Sequence, residues 1–231
     1  MKSLTAILIA STAIALATPV LAEGLIVVEA RGIALQPGGT VDSTKPLVLK
    51  QGQHVTLISN SGATLNLDGP YNQAPSINGG GTGANTFAAL TSERGARTTE
   101  VGTTRGTTPL AKLPDPWLID ASRASNACLA EGAAAVFWRP VAKDGTSLAV
   151  MPDDRSWKIQ TDWPAGADRI AVNSDALVHG GATYFVTLGG TESAIKVNVV
   201  PAALSSDAMR AAWMANKGCE AQAEALARAG K

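Results

Sequence analysis

Cysteine, histidine and aromatic side chains are scarce in this chain. Its 231 residues include two Cys, two His and only 4% Phe, Trp and Tyr. Two cysteines exclude a disulfide-dense miniprotein. The two histidines, His54 and His179, have no His or Cys at ligand spacing, so no metal site is expected from them. An excess of charge of either sign is also missing, with 19 Lys plus Arg against 19 Asp plus Glu. Nucleic acid is therefore not expected as a partner, because binding it needs a basic face that displaces counterions. A GxSxG elbow, a CxxC pair and a DxDxDG series are all absent. No catalytic residue, metal ligand or cofactor is expected from the motifs, and no apolar run beyond residue 22 approaches the ~20 residues of a spanning helix.

What is present begins with an address. Residues 1–22, MKSLTAILIASTAIALATPVLA, place Lys2 before an apolar stretch and end on small residues after Pro19. This is the pattern of a secretory signal peptide. Val20 and Ala22 sit three and one before the expected cut, so cleavage is expected between Ala22 and Glu23. No cysteine follows that cut, which argues against a lipid anchor. The expected location is periplasmic or secreted, without a transmembrane segment in the mature chain.

From Leu25 to Leu67 short apolar runs, LIVVEA, PLVLK, HVTLIS and ATLNLDG, are separated by turns rich in Gly, Asn and Ser. Val55 and Leu57 alternate with His54 and Thr56, and Leu65 and Leu67 alternate with Thr64 and Asn66. Period 2 predicts an antiparallel β meander over 23–70, with a hairpin turn at Asn60–Gly62. Residues 71–114 are rich in Gly, Thr, Ser and Asn and nearly free of large apolar side chains, so a flexible linker is expected there, with a helical option at Thr86–Leu90. Over 115–203, seven or eight short strand-like runs predict an all-β sandwich or partial barrel. Its tryptophans, Trp117, Trp138, Trp157 and Trp163, are read as core and corner residues.

The segment 204–231 is Ala-rich with helical spacing, and Ser205 or Ser206 can cap it. Met209, Ala212, Asn216, Cys219, Ala223 and Leu226 share one face of a helix expected to dock on the second module. Gly218 interrupts that helix and is a place for it to split or bend. Cys128 and Cys219 are the only two cysteines of a chain addressed to an oxidising compartment, so a disulfide between them is expected.

Several motifs come close to a chemistry. Ser193 and Lys196 form an SxxK, but TESAIKVNVV reads as a strand, which sends positions three apart to opposite faces. GGGTGA at Gly79–Ala84 contains GxGxxA without a strand before it or a helix after it. Asp153, Asp154, Asp162 and Asp168 are close in sequence and read as solvated turns.

The residues LQPGGTVDSTKPLVLKQGQHVTLISNSGATLNLDGP carry a Gly-marked turn, a short apolar strand, a GxxVTL strand, a turn and a closing xLxLxGP. This order resembles the FecR-like domain of bacterial periplasmic proteins, over Gly32–Pro70. The second half, with PDPWLID, VFWRP, YFVTL and AWMANKGCEAQA, resembles small exported envelope proteins of proteobacteria. The resemblance implies a β-rich periplasmic module that senses, binds or scaffolds, and it brings no catalytic residues. The expected function is a non-enzymatic binding or signal-relay module with a protein partner, a membrane-embedded sensor or another envelope component. The alternatives are a structural or assembly protein of the envelope, and an envelope hydrolase whose site is assembled from residues distant in sequence.

Overall fold

The computed structural model describes residues 24–77, 84–85, 112–172 and 181–230. The expected signal cleavage at Ala22 and Glu23, the helical option at Thr86–Leu90 and His179 lie outside the described residues. The protein is mostly β with two helices at its C-terminal end. Among the described residues no helix is long and apolar enough to cross a membrane.

The first β region runs β1 (Gly24–Arg31), β2 (Thr40–Asp42), β3 (Leu47–Leu49), β4 (His54–Ile58), β5 (Ala63–Asp68), β6 (Tyr71–Gln73) and β7 (Ala84–Asn85). One sheet has the order β2-β1-β4-β5-β7, and β3 pairs with β6 in a second, two-stranded sheet. The alternation read in β4 and β5 puts Val55, Leu57, Leu65 and Leu67 into one core with Leu25 and Val27 of β1, which Leu49 closes from β3. The β4–β5 hairpin turns at Ser59–Gly62, where Ser59 N–H donates to Ala63 O and Gly62 takes φ +77°. A linker starting at Tyr71 does not hold. Tyr71–Gln73 pairs antiparallel with Leu47–Leu49, and Ile77 packs on the same core. Ladder hydrogen bonds go to the backbone, so the polar run YNQ joins a sheet without an apolar signature. At the other end of the expected linker Leu113 is buried with Leu118, Trp138 and Ala225. Residues 78–83 and 86–111 lie outside the description.

After the turn at β2 the Asp42 carboxylate accepts from Thr44 Oγ1 (2.6 Å) and from Thr44 N–H (2.9 Å) and faces Lys45 Nζ at 3.1 Å. These bonds, that of the Thr44 hydroxyl foremost, hold its pKa down to about 2 from 3.8. A carboxylate depressed by folding stabilises the native state above its unfolded pKa, and that contribution is lost as pH falls through about 2. Replacing Thr44 with Ala is expected to move the Asp42 titration, followed by carboxyl NMR, back up towards the ordinary value. An unchanged midpoint would show that the turn does not set it.

The second region adds β8 (Leu118–Asp120), β9 (Ser125–Ala130), β10 (Ala135–Trp138), β11 (Thr146–Pro152), β12 (Ile159–Trp163), β13 (Arg169–Val172), β14 (Thr183–Leu188) and β15 (Thr191–Val200). Sheets of order β13-β10-β8 and β12-β11-β14-β15-β9 enclose one core around Phe137, Leu148, Trp163, Tyr184, Val186 and Ile195. Two pairings, β8 with β10 and β9 with β15, are parallel. The tryptophans lie in or against cores, Trp138 and Trp163 being buried. Arg139 is buried beside Trp163, its guanidinium donating to the carbonyls of Ala167, Asp144 and Pro164 and lying 5.0 Å from the Trp163 ring centroid. A charge held by three carbonyl dipoles and a ring face ties the β10–β11 and β12–β13 loops together.

The C-terminal segment is two helices, not one: α1 (Asp207–Asn216) and α2 (Glu220–Ala229). Ser206 is the cap, its Oγ accepting from Met209 N–H at 3.1 Å and donating to Asn60 O at 2.9 Å in the β4–β5 turn. The break is at Gly218, with φ +76°. Gly218 N–H donates to Ala215 O and Cys219 N–H to Met214 O, the Schellman pattern that glycine enables at no steric cost. The turn explains why Asn216 is exposed although its spacing assigned it to the buried face. The helices do not rest on the second region alone, since Ile26, Val28 and Ile58 of the first sheet share a core with Met209 and Trp213, which also takes in Val200. The face of β4 expected to be polar is thus covered at its Ile58 end.

Candidate functional site

Two arrangements of polar side chains have enough order to be weighed as sites. The first is on the β4–β5 hairpin. Cross-strand register sets His54 opposite Asp68 and Thr56 opposite Asn66, and the period of 2 puts His54 and Thr56 on one face. His54 Nδ1 lies 2.7 Å from Asp68 Oδ1, and His54 Nε2 lies 3.1 Å from Thr56 Oγ1. Acid, imidazole and hydroxyl follow in the order of a nucleophilic relay. Thr56 differs from an attacking hydroxyl in two respects: it is 3% exposed, and its proton is donated to Asn66 Oδ1 at 2.9 Å. A hydroxyl has one proton, so while Asn66 receives it His54 Nε2 must be the donor to Thr56. Asp68 is largely exposed and Arg31 of β1 is the residue opposite His54.

The second arrangement is a groove of about 450 Å³ between the start of β9 and α2. Its position follows from a buried turn. The chain leaves the three-stranded sheet after Asp120, whose carboxylate accepts from Ser122 N–H (3.0 Å), Ser122 Oγ (2.6 Å) and Arg123 Nε (2.7 Å). These bonds fix the crossover to the five-stranded sheet and aim Arg123 at the groove. Across from it, Glu220, Glu224 and Arg228 project from α2. Arg228 donates to Leu113 O at 3.0 Å and lies 3.8 Å from Glu224. Lys112 completes the rim, and Gly218 and Ala221 line it with small groups. A Cβ on Gly218 would come within 2.5 Å of Asn126 Nδ2, so this glycine also leaves room for Asn126.

The wall between β9 and α2 is held in two ways. Cys128 and Cys219 form a disulfide with Cα atoms 6.0 Å apart, both residues being buried. Beside it the side-chain amide of Gln222 acts as a surrogate strand. Its Oε1 accepts from Cys128 N–H at 2.6 Å, and its Nε2 donates to Cys128 O at 2.8 Å and to Pro116 O at 2.9 Å. Gln222, Arg123, Asn126 and Arg228 carry no motif. Their roles depend on the packing of α2 beside β9, which local spacing does not encode.

The near-miss motifs stay apart. Ser193 and Lys196 lie in β15 opposite Val186 and Thr183, on opposite faces of the strand. Asp154 caps Ser156 N–H at 3.0 Å, and this bond lowers its pKa. Asp168 pairs with Arg169, and Asp162 lies in β12. Among the described residues no three of His, Cys, Asp and Glu come together at a spacing that could hold a metal ion. Comparison of the whole chain with family models gives no match, and comparison with curated proteins gives none either.

Proposed function

We propose that the chain is a non-enzymatic binding or signal-relay module of the periplasm that engages a protein partner, a membrane-embedded sensor or another envelope component, through the groove between β9 and α2. The observation that supports this reading most is the groove itself. It is lined by fixed charges of both signs, Arg123 and Arg228 against Glu220 and Glu224, and it sits on a wall held by a disulfide. Such a lining recognises and orients. The FecR-like pattern of Gly32–Pro70 agrees with a relay role. The test is a photo-crosslinking side chain at Ala221 in the exported protein in cells, compared with one at the exposed Val141. The expected result is one discrete adduct from position 221 only. Many adducts from 221 would favour an assembly role in the envelope, and equal labelling at both positions would contradict the groove.

The Asp68–His54–Thr56 order supports a second reading as an envelope hydrolase. A fluorophosphonate probe decides it. Covalent labelling of Thr56, abolished by His54→Ala, would establish the hydrolase, and no labelling in the folded protein would leave the hairpin as a structural hydrogen-bond chain.

A further inference from the structure

We infer that the groove takes an extended polypeptide segment, which adds as a strand to the free edge of β9 at Asn126; this rests on the groove being the binding site. β9 is the last strand of its sheet and pairs on its other side with β15 in parallel. In a parallel ladder, alternate residues of a strand turn both N–H and C=O to the same side. Cys128 turns its pair outward, where Gln222 satisfies both. Asn126, two residues earlier, therefore turns its own N–H and C=O to that same edge, and Asn126 lines the groove. Among the described residues nothing bonds to them. The side chain of Gln222 thus occupies one strand position along the edge and leaves the next one vacant, in a groove whose volume suits a few residues of extended chain. The charges select the occupant further. With Lys112, Arg123 and Arg228 lining the groove together with Glu220 and Glu224, the complement is a segment carrying both acidic and basic side chains. Backbone pairing supplies affinity and the charged walls supply selection.

The experiment uses the mature, oxidised protein and an array of hexapeptides of mixed charge, with the strongest binder then measured in solution by fluorescence anisotropy. The proposal expects micromolar binding that weakens with salt and that is lost when alternate backbone amides of the peptide are N-methylated. Asn126→Pro removes the edge donor without touching the β15 ladder and is expected to weaken binding about tenfold, the worth of one hydrogen bond at the top of its usual range. Should that variant misfold, the N-methyl series on the unchanged protein decides. Loss of binding in Arg123→Glu with no effect of N-methylation at any position would overturn strand addition and leave the groove as the binding site. Absence of binding by every peptide would overturn both. A concentration-dependent dimer that protects the Asn126 amide would overturn the peptide assignment in favour of a second copy of the chain.

Discussion

Replacing Cys128 and Cys219 together with alanine is expected to lower the stability of the protein by about 2–4 kcal/mol. The bridge spans a sequence separation of 91 residues, for which the chain-entropy argument gives about 4.6 kcal/mol, reduced in practice by residual order in the unfolded chain. The loss should not be uniform. Met209, Trp213 and Leu226 hold the helices to both β regions, but Ala211, Ala212 and Ala223 share that face, and each buried alanine methyl contributes little. Protease should therefore cut within α1 and α2 of the variant before it cuts the cores around Leu57 and Phe137. Urea melts of the variant and the oxidised protein give the magnitude, and limited proteolysis gives the order. A variant as stable as the parent would show that packing alone fastens the helices.

Gln222→Met is expected to cost about 3 kcal/mol, a large effect for a change that conserves shape. Methionine fills the same volume but cannot bond, so the N–H and C=O of the fully buried Cys128 both lose their partner. Each unsatisfied buried backbone group costs ~1–3 kcal/mol. Because Cys128 also carries the disulfide, the two perturbations act on one contact between β9 and α2, and their effects should not add. A change below about 0.5 kcal/mol, a usual surface effect, would mean that water replaces the amide and the surrogate strand is dispensable.

The parts of this fold legible in the sequence are those that local rules determine. Alternation in HVTLIS and ATLNLDG gave the β4–β5 hairpin, the serine pair gave the cap of α1, and Gly218 marked the break between the helices. The two cysteines could pair only with each other. The cap-to-turn bond from Ser206 to Asn60 and the parallel pairs of β9 and β15 join residues far apart in the chain, and no spacing announces them. The expected linker failed at its ends for a related reason, since Tyr71–Gln73 is recruited by the edge of β3, with Tyr71 as its one apolar contact to the core. For the His54–Asp68 pair the signal was present: counting outward from the hairpin turn sets 54 against 68. The groove had no such signal. Arg123 owes its place to the Asp120 turn, and Gln222 reads like any polar residue in an Ala-rich helix until β9 lies beside it.

Amide hydrogen exchange on the mature, monomeric protein reads out whether the edge of β9 is closed at Cys128 and open at Asn126. The expected result is a strongly protected Cys128 amide and an Asn126 amide that exchanges at close to the rate of an unbonded backbone group, becoming protected when the hexapeptide binds. Equal and strong protection of both amides in the isolated monomer would contradict it, because the position offered to a partner would already be filled.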